Sequence, residues 1–376
     1  MSHGPTPYYT PILNALAERV RLHVTYLGRG DTPQMSNAGW SDFKDDWGEE
    51  PAFDYSFHRS VPIRVGRLDF HARFSLGISR TLRRLDPDVI LVHSWGPLMI
   101  EPLLWARATG RRSVMWTESG ATTGLLRDPM TMWVRRRIVN LADAFVSTGS
   151  AARCFIEDLG AEASQIVQSC LPSALAESIA SVPRFQSGRH TSNGTRFLFV
   201  GRLVARKRPV ELAEAFIRAL PALGEATLTF VGDGPLRVAI AEVAYTTAGR
   251  VRLLDRAEGI ELATRYLEAD VLVVPSVREV WGLVVNEALA AGLYVVATDQ
   301  VASAVDLLDS RSGIIIPPDD PERLIEALTI ADGVGQSESE RVARAARVRE
   351  CTRLAFARDL MRAVELALRR DPTASV

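Results

Sequence analysis

The stretch "VGRLVARKRPVELAEAF", residues 200–216, decides how the rest of the chain is read. An apolar run, "RFLFVG" (196–201), ends at Gly201-Arg202; a short loop then carries Arg206, Lys207 and Arg208, and an amphipathic run opens at Pro209. This reads as strand, loop and helix, with proline at the first helical position, where its missing N–H removes no hydrogen bond. Lys44 and Lys207 are the only lysines among 44 cationic residues, yet one of them stands between two arginines here. A compact, flexible ammonium is wanted where a planar guanidinium would not fit. Chance is the plainer alternative while this lysine is taken alone.

Working outward, short β-branched or apolar runs alternate with helical stretches throughout, the pattern of parallel sheets with crossover helices. In the first half the strands read "RLHVTYL" (21–27), "VILVHS" (89–94), "RSVMWTE" (112–118) and "AFVSTG" (144–149), with helices near 11–19, 70–85, 97–109 and 130–142. In the second they read "RFLFVG", "TLTFVGDG" (227–234), "VRLLD" (251–255), "VLVVPS" (271–276) and "YVVATD" (294–299). The expectation is an α/β chain of two Rossmann-like domains, 1–182 and 196–350. The aperiodic, polar segment 183–195 joins them, and a helical segment, 351–376, packs back on the first domain. The stretch 28–57 is long, aperiodic and acidic, and reads as a solvated loop or as an acceptor-binding lip with Trp40 and Trp47 as stacking surfaces.

A formal net charge of −1, balanced between the halves, leaves no cation excess for a phosphate backbone, so nucleic acid is excluded as the main partner. Cys154, Cys170 and Cys351 are odd in number and widely spaced, which argues against a disulfide scaffold or a zinc site and for a reducing, cytoplasmic setting. No apolar run reaches the length of a membrane span. Arg135, Arg136 and Arg137 beside Met130, Met132 and Trp133 allow peripheral contact with a lipid surface, although three arginines in a helix are more often a solvated face.

Four features of the second half converge on one ligand. Arg202 and Lys207 follow the carboxyl end of a strand, where open parallel sheets bind ligands, and are suited to a diphosphate. In "REVWGLVVNEALAAG" (278–292), Glu279 lies in a loop and Glu287 two turns into the next helix. A diphosphate at the helix N-terminus, near Gly282 and Leu283, would lie between the two carboxylates. Gly232 in "VGDGP" lets backbone approach a ligand closely, and "LLDRAEG" puts Arg256 at a polar strand end where a base is read. Each has a plainer reading as a turn, a cap or a surface ion pair. "DPD" (86–88) precedes a strand and reads as a turn rather than a metal site.

The order G-R-L-x-x-x-K, V-G-D-G-P, A-D-V-x-V-x-P-S, E-x7-E around W-G-L, then A-x-G-x-x-V-V-A-T-D resembles the nucleotide-binding domain of family 4 of the retaining glycosyltransferases. The first half resembles that family's acceptor domain more loosely, through "PTPYYTPILNALAER", "DPDVILVHSWG" and "NLADAFVSTGSAARCFIEDLG". The resemblance implies a GT-B fold with a crevice between the domains and transfer of a sugar from a nucleoside diphosphate-sugar, a UDP-sugar by preference, to an acceptor hydroxyl. It implies that Arg202 and Lys207 bind the diphosphate, Glu279 the donor sugar, Glu287 the ribose, and backbone at Gly282-Leu283 the phosphate, with no metal and no resident cofactor. His93 and Glu118 end strands of the first domain and are expected to orient or deprotonate the acceptor hydroxyl, Glu118 standing where relatives carry a histidine. A nucleotide-sugar epimerase of the same fold and a non-catalytic nucleotide-sugar binder are the alternatives. The chain departs from the family twice. No strand precedes "MSHGPTPYYTPILNALAER", which suggests a truncated start or an unusual sheet, and "QSCLPSALAE" (168–177) stands where relatives often carry P-N-x-V-D.

Overall fold

A computed structural model describes residues 6, 8–26, 49–58, 61–64, 71–74, 77–93, 95, 97–118, 129–182 and 194–370, with backbone alone at 61–64 and 71–74. Residues 28–48 of the proposed lip, with Trp40 and Trp47, lie outside the described residues, as does the linker from 183 to 193. The chain divides into two compact units, Met1–Cys170 together with Arg353–Val376, and Leu171–Thr352.

The first unit begins with α1 (Thr10–Ala17), β1 (His23–Tyr26) and β2 (Asp54–Phe57), then the strands β3 (Val61–Arg64) and β4 (His71–Phe74). It continues through α2 (Ile78–Leu85), β5 (Val89–His93), α3 (Ile100–Thr109), β6 (Arg112–Thr117), α4 (Pro129–Val139), β7 (Ala144–Thr148), α5 (Gly149–Asp158) and β8 (Ile166–Ser169). β5, β6, β7 and β8 form a parallel four-stranded sheet in that order, while β1 pairs with β2 in parallel and β3 with β4 antiparallel. Two expectations are corrected here. The end of the acidic stretch is a strand, His23 pairing with Asp54, and residues 71–74 are a strand rather than the start of a helix. The helix begins only after Gly77, whose φ of 86° suits glycine and breaks the run.

The second unit opens with α6 (Ala174–Ser181) and runs through β9 (Arg196–Val200), α7 (Pro209–Ala219), β10 (Thr227–Val231), α8 (Arg237–Thr246), β11 (Val251–Leu254), α9 (Gly259–Glu268) and β12 (Val271–Val274). After these come α10 (Leu283–Ala290), β13 (Tyr294–Thr298), α11 (Ala302–Leu307), β14 (Gly313–Ile316), α12 (Pro321–Asp332) and α13 (Glu338–Ala346). Its six strands are all parallel, in the order β11-β10-β9-β12-β13-β14. Every residue of β12 and β13 is buried, as helices on both faces of a parallel sheet require. Phe197, Phe199, Phe216, Phe230 and Leu328 anchor the core. The strand order reverses between β9 and β12, which places a binding crevice outside their carboxyl ends.

The last helix, α14 (Arg353–Arg369), belongs to the first unit and packs on α1 and on β6, β7 and β8. Phe356 sits 4.9 Å from the Trp116 ring, Asp359 accepts from Ser169 Oγ at 2.9 Å, and Arg112 donates to the Arg370 carbonyl at 2.6 Å. Cys154 is free, but Cys170 and Cys351 are disulfide-bonded, whereas the number and spacing of the cysteines argued against a disulfide scaffold. Among the described residues no helix is long and apolar enough to cross a membrane.

Candidate active site

The switch point of the second unit gathers the strongest sequence signals. β9 delivers Gly201 and Arg202, and a single 3-10 turn, Ala205–Lys207, returns toward the sheet. β12 delivers Ser276 and Glu279. The two loops touch through backbone, Val277 N–H donating to the Arg206 carbonyl at 2.9 Å. Lys207 Nζ lies 2.5 Å from Glu279 Oε1, which also accepts from Ser276 Oγ at 3.2 Å, and Arg206 approaches Glu279 Oε2 at 3.6 Å. Glu279 is only 9% exposed, so this ion pair is held largely out of water, where attraction is stronger and geometry tighter. Gly201, at φ 148°, leaves room for the lysine: a Cβ there would stand 3.3–3.6 Å from Lys207 side-chain atoms.

Beside this pair α10 begins without a side-chain cap, its N-cap Gly282 in the left-handed region at φ 97°. A Cβ at Gly282 would meet Val301 Cγ1 at 2.9 Å, and Ser303 fixes the turn by donating to the Gly282 carbonyl at 2.9 Å. Among the described hydrogen bonds, none takes the N–H of Leu283 or Val284. An uncapped N-terminus with free amides is a ready anion site, placed here beside a half-buried lysine.

Glu287, one turn deeper, is buried, and both its oxygens are engaged: Oε1 accepts from Ser173 Oγ at 2.8 Å and Oε2 from Tyr266 OH at 2.7 Å. Burial raises its pKa, against the two hydroxyl donors and the charge of Lys207, which lower it. Tyr266 is likewise raised, by burial and then by Glu287. The neighbouring Asn286 accepts from Trp281 Nε1 at 3.0 Å and donates to the Leu171 carbonyl at 3.0 Å. Sequence reasoning missed Ser173, Tyr266 and Asn286. Ser173 stands in the segment where the chain departs from P-N-x-V-D, and that departure was the available signal.

The other expected groups fall differently. Gly232 and Gly234 press against backbone, not open space: a Cβ at Gly232 would lie 2.0 Å from the Gly201 carbonyl oxygen, and one at Gly234 2.6 Å from that of Leu203. The glycines thus let the β10 loop seat the β9 loop, with Leu203 N–H donating to the Asp233 carbonyl at 2.9 Å. Arg256 follows the edge strand β11 and pairs with Glu258; among the described ion pairs it is not joined to the Lys207 cluster.

In the first unit His93 ends β5 and Glu118 follows β6, with Nε2 and Oε1 3.7 Å apart. His93 stacks on Trp116 at 4.3 Å and meets the edge of Tyr9 at 4.8 Å. Burial, then the Glu118 charge and its hydrogen bond, push the Tyr9 pKa up. Glu118 Oε1 is buried without a hydrogen-bond partner, so it is poised to accept from a hydroxyl placed beside it. Tyr9 was not anticipated; its phenol meets the pair only through the fold. Among the described residues no group of three or more His, Cys, Asp or Glu side chains is arranged to hold a metal ion.

Comparison with known proteins matches the chain to a family. Residues 194–331 match the family model "Glycosyl transferases group 1" and residues 3–170 the model "Glycosyl transferase 4-like domain". The chain belongs to glycosyltransferase family 4. This glycosyltransferase is 26% identical over 297 residues to TuaC of Bacillus subtilis, assigned to teichuronic acid biosynthesis, across 73% of its own length and 69% of that protein's. It is 28% identical to the sulfoquinovosyl transferase SQD2 of Arabidopsis thaliana, across 74% of its length but only 54% of that protein's. Anabaena Alr3699/HepE, solved in complex with UDP, has a similar fold, with a TM-score of 0.69 at 15% identity over 97% of this chain and 98% of that one. The fold is therefore α/β of GT-B type, as the sequence motifs implied.

Proposed function

We propose that this glycosyltransferase moves a sugar from a nucleoside diphosphate donor, a UDP-sugar by preference, to an acceptor hydroxyl with retention of configuration and without a metal ion. The observation that carries the reading is the pair of Lys207 with the buried Glu279 beside the uncapped N-terminus of α10, at the switch point of the second sheet. Lys207, Arg202 and the amides of Leu283 and Val284 hold the diphosphate; Glu279 faces the donor sugar, and Glu287, kept in place by Ser173 and Tyr266, lies toward the ribose. Breaking the glycosyl bond sends negative charge onto the departing diphosphate, and cations and amides already in position stabilise that charge without reorganising. Retention follows from attack on the face the diphosphate leaves, since no carboxylate pair of the glycosidase kind is invoked. Arg256, at the end of β11, lies toward the nucleoside, and Gly232 acts by seating the loop that carries Arg202 and Lys207.

In the first unit Glu118, with His93 beside it, orients the acceptor hydroxyl and accepts its proton at Oε1. Family membership favours transfer over epimerisation. UDP in the Anabaena structure supports a uridine donor, and the Arabidopsis and Bacillus relatives, named for a sulfoquinovosyl group and for teichuronic acid, bring charged sugars within range. Isothermal titration with UDP, GDP and ADP tests the reading. One nucleotide is expected to bind, and Lys207→Ala to weaken it about tenfold or more, about 1.4 kcal/mol. Equal binding by the variant would sink the assignment of Lys207.

A further inference from the structure

The loops at the switch point carry more positive charge than a diphosphate needs. Arg202, Arg206, Lys207 and Arg278 stand in these two loops with one carboxylate, Glu279, which pairs with Arg206 and Lys207. Arg208, the remaining cation of these loops, is committed elsewhere, to Asp319 and the Pro318 carbonyl. Among the described residues the side chains of Arg202 and Arg278 have no hydrogen-bond or ion-pair partner, and both are exposed. The carboxylates of the flanking loops, Asp233 beyond β10 and Asp299 beyond β13, form no ion pair with any of the four cations. A surplus of three positive charges remains, in a chain whose overall charge is −1. A sugar-linked diphosphate brings about two negative charges.

The position of the surplus is informative. Arg206 donates to the Arg278 carbonyl at 3.3 Å and reaches Glu279 Oε2 at 3.6 Å, on the oxygen that Lys207 leaves free. Arg206 thus stands at the carboxylate assigned to the donor sugar, on the oxygen opposite the lysine's, and the exposed Arg278 adjoins that carboxylate in sequence. Guanidinium forks match carboxylates and sulfonates in a way an ammonium does not. We propose that the donor sugar is itself acidic, and that Arg206 and Arg278 read its acid group. This rests on the donor-site reading above and adds the class of sugar.

The test compares UDP-glucose with UDP-glucuronate by titration of the whole chain, or GDP-mannose with GDP-mannuronate if GDP is the nucleotide that binds. The uronate is expected to bind about tenfold tighter than the neutral sugar or better. Arg206→Gln and Arg278→Gln are expected to remove that preference while weakening the free nucleotide less. Equal affinity for the two sugars, with the free nucleotide still bound, overturns the inference and leaves the donor site standing. Failure of every nucleotide to bind removes the donor site and the inference together. A preference that survives in both variants refutes the role of these arginines. If free glucuronate raises affinity for the neutral donor instead, the anion belongs to the acceptor and the donor assignment falls.

Discussion

Glu287 shows what a single buried residue costs and how little of its setting its own neighbours reveal. The E-x7-E spacing marks it in the sequence, but its two partners come from far along the chain, Tyr266 on α9 and Ser173 at the cap of α6. Such partners are set by tertiary packing, so the residue was legible and its environment was not. Its raised pKa has a consequence for stability. A carboxyl that holds its proton more tightly folded than unfolded destabilises the fold progressively as pH rises from the ordinary carboxylate value toward the raised one. Below that window both states are protonated and the penalty is absent. Glu287→Gln removes the titration, so the melting temperature of the variant is expected to gain on the wild type as pH rises above about 4.5 and then to level off. A constant difference across pH would show that Glu287 is not the group responsible.

Among the elements, strands were read best where they are buried on both faces. β6, β9, β12 and β13 are continuous apolar runs whose burial leaves no alternative. The short strands β2, β3, β4, β8 and β14 escaped notice, each only four residues long. The β10 loop was recognised for its glycines but assigned to the ligand, whereas the close approach is to the β9 loop itself. Gly232→Ala is therefore expected to shift the loop that carries Arg202 and Lys207. Alanine at φ 154° with its Cβ against the Gly201 carbonyl is expected to cost about 1–3 kcal/mol from the backbone alone. Both the unfolding midpoint and nucleotide affinity should fall. A loss of affinity at full stability would restore the glycine to direct ligand contact.

For the whole molecule, the decisive feature is that the second unit is one uninterrupted length of chain while the first is assembled from two. Segment 351–376 was expected to return to the first domain, and α14 packs there with Phe356, Leu360, Ala363 and Ala367 buried. A fragment spanning 170–352, which keeps both disulfide-bonded cysteines, is expected to fold alone and to bind the nucleotide within about tenfold of the full chain. Circular dichroism and titration would decide it, and an unfolded fragment would refute the independence of the unit. Residues 1–170 alone should lack a cooperative melt, because the face that α14 covers stays open to water. The same arrangement sets a timetable on the ribosome. β5 to β8 emerge early, yet the helix that seals them is made only after residues 171–352, about ten to forty seconds later at roughly 5–20 residues per second. Throughout that interval Trp116 and its neighbours wait uncovered while the later unit completes itself, so nascent chains stalled there are the form most in need of a chaperone. The unit translated first is the one finished last.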